Sequence, residues 1–315
     1  MLRRRLTQVL PWLVAAVLLA YLLWHIPRDQ VLAALGQAHL GYLALVVLYL
    51  VGGSLVADSW ATARVLSWFL APIGWLEILP IRAASYLMAI VNYHLGQAGL
   101  IYFVHRSRRV PVSSVTGLVL MMMGTVLLVL GALSVAGVVL APDPETRRLA
   151  WVLGVLGGGT ALYFLLLRLR PAWLARRRVL APLFDAGVTG HLGATAVRVP
   201  HVLITVTTHL LAMRCFDIAV PLGAGLVSIP LMLLAASLPI TPFGLGTIQL
   251  AAVKLLSPYI RGDRAAAEAR VLAYSLSLST LALVTQAVIG LIFLRRVVGL
   301  LEPGGDPPTP PEPRP

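Results

Sequence analysis

The chain has 315 residues, of which 59% are hydrophobic and only 12% charged. An ordinary soluble domain carries about 25% charged residues, so this balance excludes a water-soluble fold. The net charge of +13 does not point to nucleic acid, because the arginines punctuate apolar segments and form no basic soluble face. The single cysteine, Cys215, has no partner for a disulfide or a zinc-ligand spacing.

Arg3, Arg4 and Arg5 precede an apolar run that ends at Trp24-His25-Ile-Pro27. Bulky residues stand where a signal peptide would place its small cleavage residues, so Leu10–Ile26 reads as a first transmembrane helix. Crossing the hydrocarbon core takes about 20 apolar residues. Gly41–Ala57, Ser113–Leu140, Leu149–Leu167, Val202–Val220 and Val271–Leu294 also approach or meet that length, which predicts six spans. Trp60–Leu79 reads as a strip along the inner interface and Ala172–Val199 as a basic cytoplasmic loop. Gly154-x-x-x-Gly158 reads as a small-residue packing face.

Two apolar stretches are interrupted. Ile81–Val104 contains Asn92-Tyr-His94-Leu-Gly96-Gln97-Ala-Gly99, and Leu222–Leu256 contains Pro239-Ile-Thr241-Pro242-Phe-Gly244-Leu-Gly246. Pro removes a backbone donor and Gly weakens the helix, so the freed backbone groups need protein or water as partners. Both stretches are therefore expected to be re-entrant broken-helix pairs. With that arrangement 17 basic residues fall on the cytoplasmic side and 7 outside, which places both termini in the cytoplasm. Trp12, Trp60 and Trp173 then fall at the inner interface, and Trp24 and Trp151 at the outer one.

The expected fold is an all-α integral membrane domain over residues 1–301, with a Pro-rich disordered cytoplasmic tail over 302–315. Gly41–Ala57, the first pair and Ser113–Leu140 run opposite in sense to Val202–Val220, the second pair and Val271–Leu294. This is the layout of an inverted repeat, a transporter design in which broken helices mark the binding site. It rests on topology, since no repeat is visible residue by residue.

Leu238-Pro-Ile-Thr-Pro-Phe-Gly-Leu-Gly-Thr-Ile-Gln249 resembles the P-x-T/S-P-G-G-L-G-x-x-E signature of a flippase-like family related to the transmembrane region of lysylphosphatidylglycerol synthases. Asn92-x-x-Leu95-x-x-x-Gly99, followed by Arg106, is similar to that family's N-x-x-L-P-x-x-G-E motif ahead of a basic loop. The resemblance covers the chain from its first helix through Arg296. It implies a bacterial inner-membrane protein that handles a lipid or polyprenyl-linked lipid, without the soluble aminoacyl-transfer domain of full-length synthases. The chain departs from the motifs at Gly96, Leu100, Phe243 and Gln249, where the family has Pro, an acid, Gly and an acid. The chain therefore has neither of those two carboxylates.

The lipid-binding candidates are Asn92, His94, Gln97 and Arg106 around the first break, and Thr241, Gly244, Gly246, Thr247 and Gln249 at the second. His209 and an i, i+3 pair, Arg214 and Asp217, lie in the fifth span, and Ser275, Ser279 and Gln286 share a face of the last. Asp58, at the inner end of its helix, is expected to reach water. No catalytic constellation, metal site, phosphate loop or dinucleotide fingerprint is present, and no cofactor is expected. The expected partner is a membrane lipid, of anionic or polyprenyl-phosphate type. A lipid flippase is the leading function, with an intramembrane headgroup-modifying enzyme or a non-catalytic subunit of a glycolipid or hopanoid pathway as alternatives.

Overall fold

The structure, a computed structural model, describes residues 16–22, 24–142, 144–237, 241 and 244–299. All regular structure among them is helical. After a helical stretch over 16–22, the principal helices are α1 (Arg28–Gln37), α2 (Leu40–Phe69), α3 (Trp75–Val91), α4 (Tyr93–Arg108), α5 (Val112–Leu140), α6 (Ala150–Leu169), α7 (Ala181–Arg214), α8 (Leu222–Ser237), α9 (Thr247–Leu256) and α10 (Arg264–Gly299). The tail over 302–315 lies outside the described residues, as do residues 10–15 and 23 of the first predicted span.

Five helices, α2, α5, α6, α7 and α10, are long and apolar enough to cross a membrane. These correspond to five of the six predicted spans, and with the all-helical architecture they make this an integral membrane protein. Helix α6 shows why water cannot be its solvent. Its 20 residues, about 30 Å of helix, leave Val155, Leu162, Leu165 and Leu169 exposed. Trp151 and Trp173, each 70% exposed, stand at its two ends, where amphipathic rings meet the edges of a bilayer. The Gly154-x-x-x-Gly158 face has no partner among the described residues, for a Cβ at either glycine would meet only open space.

Both broken stretches are antiparallel hairpins. In the first, α3 and α4 part at Asn92, whose extended backbone (φ −161°) ends one helix and begins the next. Gly96 lies against Ala89 and Gly99 against Met88, while at the open end Arg108 pairs with Glu77. In the second, α8 and α9 face each other from Ser228, which donates to the Leu255 carbonyl at 3.1 Å, up to Ala236 beside Gly244. Gly244 and Gly246 have φ of +70° and +82° and supply the left-handed turn that residues with a side chain resist.

Two expectations are corrected. Residues 60–69 do not lie along an interface but complete the 30-residue helix α2, because the Pro72 and Gly74 breakers come only after Phe69. Likewise most of 172–199 is not a loop: helix α7 starts at Ala181, bends at Gly187 (φ +59°) and continues through Pro200 to Arg214. A proline resembles a helix boundary in a sequence, yet here the helix absorbs it at the cost of one hydrogen bond.

The packing has the symmetry that the topology suggested. Exchanging α2 with α7, α3 with α8, α4 with α9 and α5 with α10 maps every main contact among these eight helices onto another. Thus α3 packs on α10 as α8 packs on α5, each hairpin closes on itself, α4 meets α5 as α9 meets α10, and α2 meets α7 at the centre. Helices α1 and α6 stand outside this set, against α10 and against α5 and α7 respectively.

Candidate functional site

The central helices α2 and α7 carry the most deeply buried charges of the described residues. Asp58 is on α2 and Arg198 on α7, with side chains 2% and 3% exposed. Arg82 reaches the same carboxylate from α3. Arg198 Nη1 donates to Asp58 Oδ1 and Arg82 Nε donates to Oδ2, while Thr62 Oγ1 adds a longer bond of 3.4 Å. Arg82 Nη1 also donates to Gln97 Oε1 on α4 at 3.3 Å. One carboxylate thus joins two guanidiniums and, through Gln97, holds both arms of the first hairpin to the α2/α7 pair.

This cluster forms part of the wall of a cavity of about 360 Å³. Its remaining wall is largely apolar, with Leu50, Leu100, Met122, Val126, Leu130, Val202, Leu233 and Leu278 contributed by six helices. From α7 come Arg198, His201, Thr205 and His209, spaced by three or four residues and so on one helical face. From α10 come Ser279 and Gln286. Tyr93 and Ser237, which also line the cavity, are exposed and lie at the tips of the two hairpins, so the mouth opens where both helices break.

Of the residues singled out from the sequence, Gln97, His209, Ser279 and Gln286 line this cavity. His209 Nδ1 bonds the Tyr274 hydroxyl at 2.5 Å, which anchors its ring to α10. The others have different places. Asn92 caps α4, its Oδ1 accepting from the His94 amide at 2.8 Å, as short polar side chains do at helix starts. His94 and Arg106 are exposed. Thr241 is buried and shares a 3.0 Å bond with the Thr247 hydroxyl, tying the second turn together. Ser275 donates to the Leu272 carbonyl of its own helix.

Gln249 is fully buried and structural. Its Oε1 accepts from the Gly246 amide at 2.7 Å and its Nε2 donates to Ser279 Oγ at 3.2 Å. An amide both accepts and donates, so one side chain meets the turn of the second hairpin and α10 together. Gln249→Leu strands the Gly246 N–H, and a lost buried partner costs about 1–3 kcal/mol. A fall in the unfolding midpoint in detergent is therefore expected; an unchanged midpoint would show that Gln249 does not hold the turn.

The predicted Arg214–Asp217 ion pair is corrected. Both side chains are exposed at the end of α7, and no ion pair joins them among the described residues. Asp217 sits in a left-handed turn (φ +53°) and borders a separate surface depression with Arg261 and Arg270. Asp58 is corrected too: it does not reach water but is the best-paired carboxylate among the described residues. Arg82 and Arg198 were not singled out, because the expected boundaries put Arg198 in a loop and Arg82 at the very start of the first broken stretch, where each reads as a topology signal. The signal was there in Arg198-x-x-His201-x-x-x-Thr205-x-x-x-His209, a polar stripe at helical spacing, but Pro200 interrupts it.

The model of the lysylphosphatidylglycerol synthase TM region family matches residues 8–271. The chain belongs to this family. The match spans the exchange-related helices from α2 to α9 and reaches the start of α10, so the cavity is built almost wholly from the family's common region. A search of curated proteins and one of solved structures returned no match. Membership of the family supports a lipid-related membrane protein and assigns no role to individual residues of the cluster.

Proposed function

We propose that this protein binds a membrane lipid in the cavity between its two hairpins and carries the headgroup across the bilayer. The observation that supports this reading is the shape and lining of the cavity. A charged wall built by α2, α3 and α7 faces apolar walls, and the mouth lies at the tips of the two hairpins, whose helices have only 10 to 17 residues each. Lipid translocation needs a polar stop for the headgroup inside the hydrocarbon layer while the acyl chains stay in lipid. Small-molecule sites are commonly apolar clefts with a few placed polar groups, of volume about 300–1,000 Å³. The exchange symmetry of the packing supports alternating access, in which one half rocks against the other around a central site.

Purified protein in liposomes tests the proposal with a fluorescent phospholipid in one leaflet. Faster appearance of the unmodified lipid in the other leaflet than in protein-free liposomes is the expected result. A chemically altered headgroup would replace transport with enzymology, and neither outcome would leave a non-catalytic subunit.

Orientation in a bacterial inner membrane is part of the same reading. Removing Arg82 and Arg198, now inside the protein, and adding Arg214, exposed at the far end of α7, leaves 15 basic residues on the proposed cytoplasmic side against 8 outside. The bias therefore persists with both termini inside. With Cys215 replaced by Ser, an impermeant thiol reagent should label Arg147→Cys in intact cells and Ser107→Cys only in opened ones. Labelling of position 107 in intact cells would overturn the orientation.

A further inference from the structure

We propose that the Arg82–Asp58–Arg198 cluster is a binding site for a phosphate group, which deepens the lipid-binding reading above by naming the chemistry of the headgroup. Two buried guanidiniums share one carboxylate, so with the neighbouring histidines neutral the cluster carries an unbalanced positive charge. An uncompensated charge in such a place is costly, and a second anion from a ligand removes the cost. Three buried polar atoms on cavity-lining residues also lack a hydrogen-bond partner among the described residues: Arg198 Nε, His201 Nδ1 and Ser54 Oγ. The first is decisive. Arg198 spends Nη1 on Asp58, and its Nε–H is a donor buried within a side chain only 3% exposed.

The geometry selects the ligand class. A guanidinium presents donors in a planar fork that matches the oxygens of phosphate, and two forks from α3 and α7 converge here. Asp58 holds both in place before the ligand arrives, which lowers the ordering cost of binding. Ser54, one turn before Asp58 on α2, and His201, one turn after Arg198 on α7, bring the other two unpartnered atoms to the same cavity wall. The apolar remainder of the wall suits the glycerol and first methylenes of a phospholipid better than the hydration shell of a free ion.

Binding is read on the full chain in detergent, by native mass spectrometry and by the shift in unfolding midpoint, with three probes. These are phosphatidylglycerol, a diacylglycerol with the same acyl chains, and inorganic phosphate. Phosphatidylglycerol is expected to bind at least tenfold more tightly than diacylglycerol, and Arg198→Gln is expected to abolish most of that difference. Arg198→Gln keeps the Arg82–Asp58 pair neutral, so its ligand-free midpoint reports whether the fold survives.

Inorganic phosphate without effect identifies the source as a lipid headgroup, whereas inorganic phosphate matching phosphatidylglycerol identifies a free-ion site with the same chemistry. Equal binding of diacylglycerol and phosphatidylglycerol, or native-like selectivity in a folded Arg198→Gln protein, would overturn the phosphate site. Selective binding without any transbilayer movement in liposomes would instead leave this site standing and remove the transport reading.

Discussion

Asp58→Asn is expected to destabilise the ligand-free protein by about 3–5 kcal/mol, the cost of breaking a buried ion pair by removing one member. The substitution leaves Arg82 and Arg198 facing each other with side chains 12% and 3% exposed and no carboxylate between them. Arg198→Gln is expected to cost less, about 1–3 kcal/mol for one charged hydrogen bond, because Asp58 and Arg82 remain a neutral pair and Thr62 still donates. Unfolding midpoints in detergent measure both, and the order of the two is the informative result. Equal losses would mean that the cluster is not short of negative charge, and the argument for an anionic ligand would lose its electrostatic basis.

Gly96→Val is expected to open the first hairpin, at a cost of about 1–3 kcal/mol from overpacking. A Cβ at position 96 would lie 2.7 Å from the Ala89 Cβ and 3.1 Å from the Ser85 carbonyl oxygen. Backbone crowds that site, so no rotamer change relieves the clash. Opening the hairpin also withdraws Gln97 from Arg82 and alters the mouth beside Tyr93. Faster proteolysis or hydrogen exchange of α3 and α4 is the expected readout. Native protection throughout both helices would show that the hairpin tolerates a wider gap than its packing implies.

The two substitutions separate the parts of the site that a reader of the sequence can and cannot find. Gly96 was visible as a breaker, and Gln97 followed from its position beside the break. Asp58, Arg82 and Arg198 are separated by 24 and 116 positions, and nothing local says that they meet. Each looked like a charge near the end of a span, for which solvation by snorkelling is the ordinary outcome. Pro200 concealed the course of α7, and with it the stripe from Arg198 to His209.

Composition and hydrophobic run length alone determined that this is an all-helical membrane protein, because a bilayer admits few other ways to satisfy backbone groups. The Gly- and Pro-rich interruptions determined where its helices break, because those residues act through local backbone conformation. Tertiary structure decided which of the interrupting polar residues face the cavity and which, like Asn92, Thr241 and Gln249, repair the break itself. It also decided the charge cluster. A buried ion pair exists only when helices distant in the chain pack side by side, and its energy depends on that enclosure, which no local pattern of residues contains.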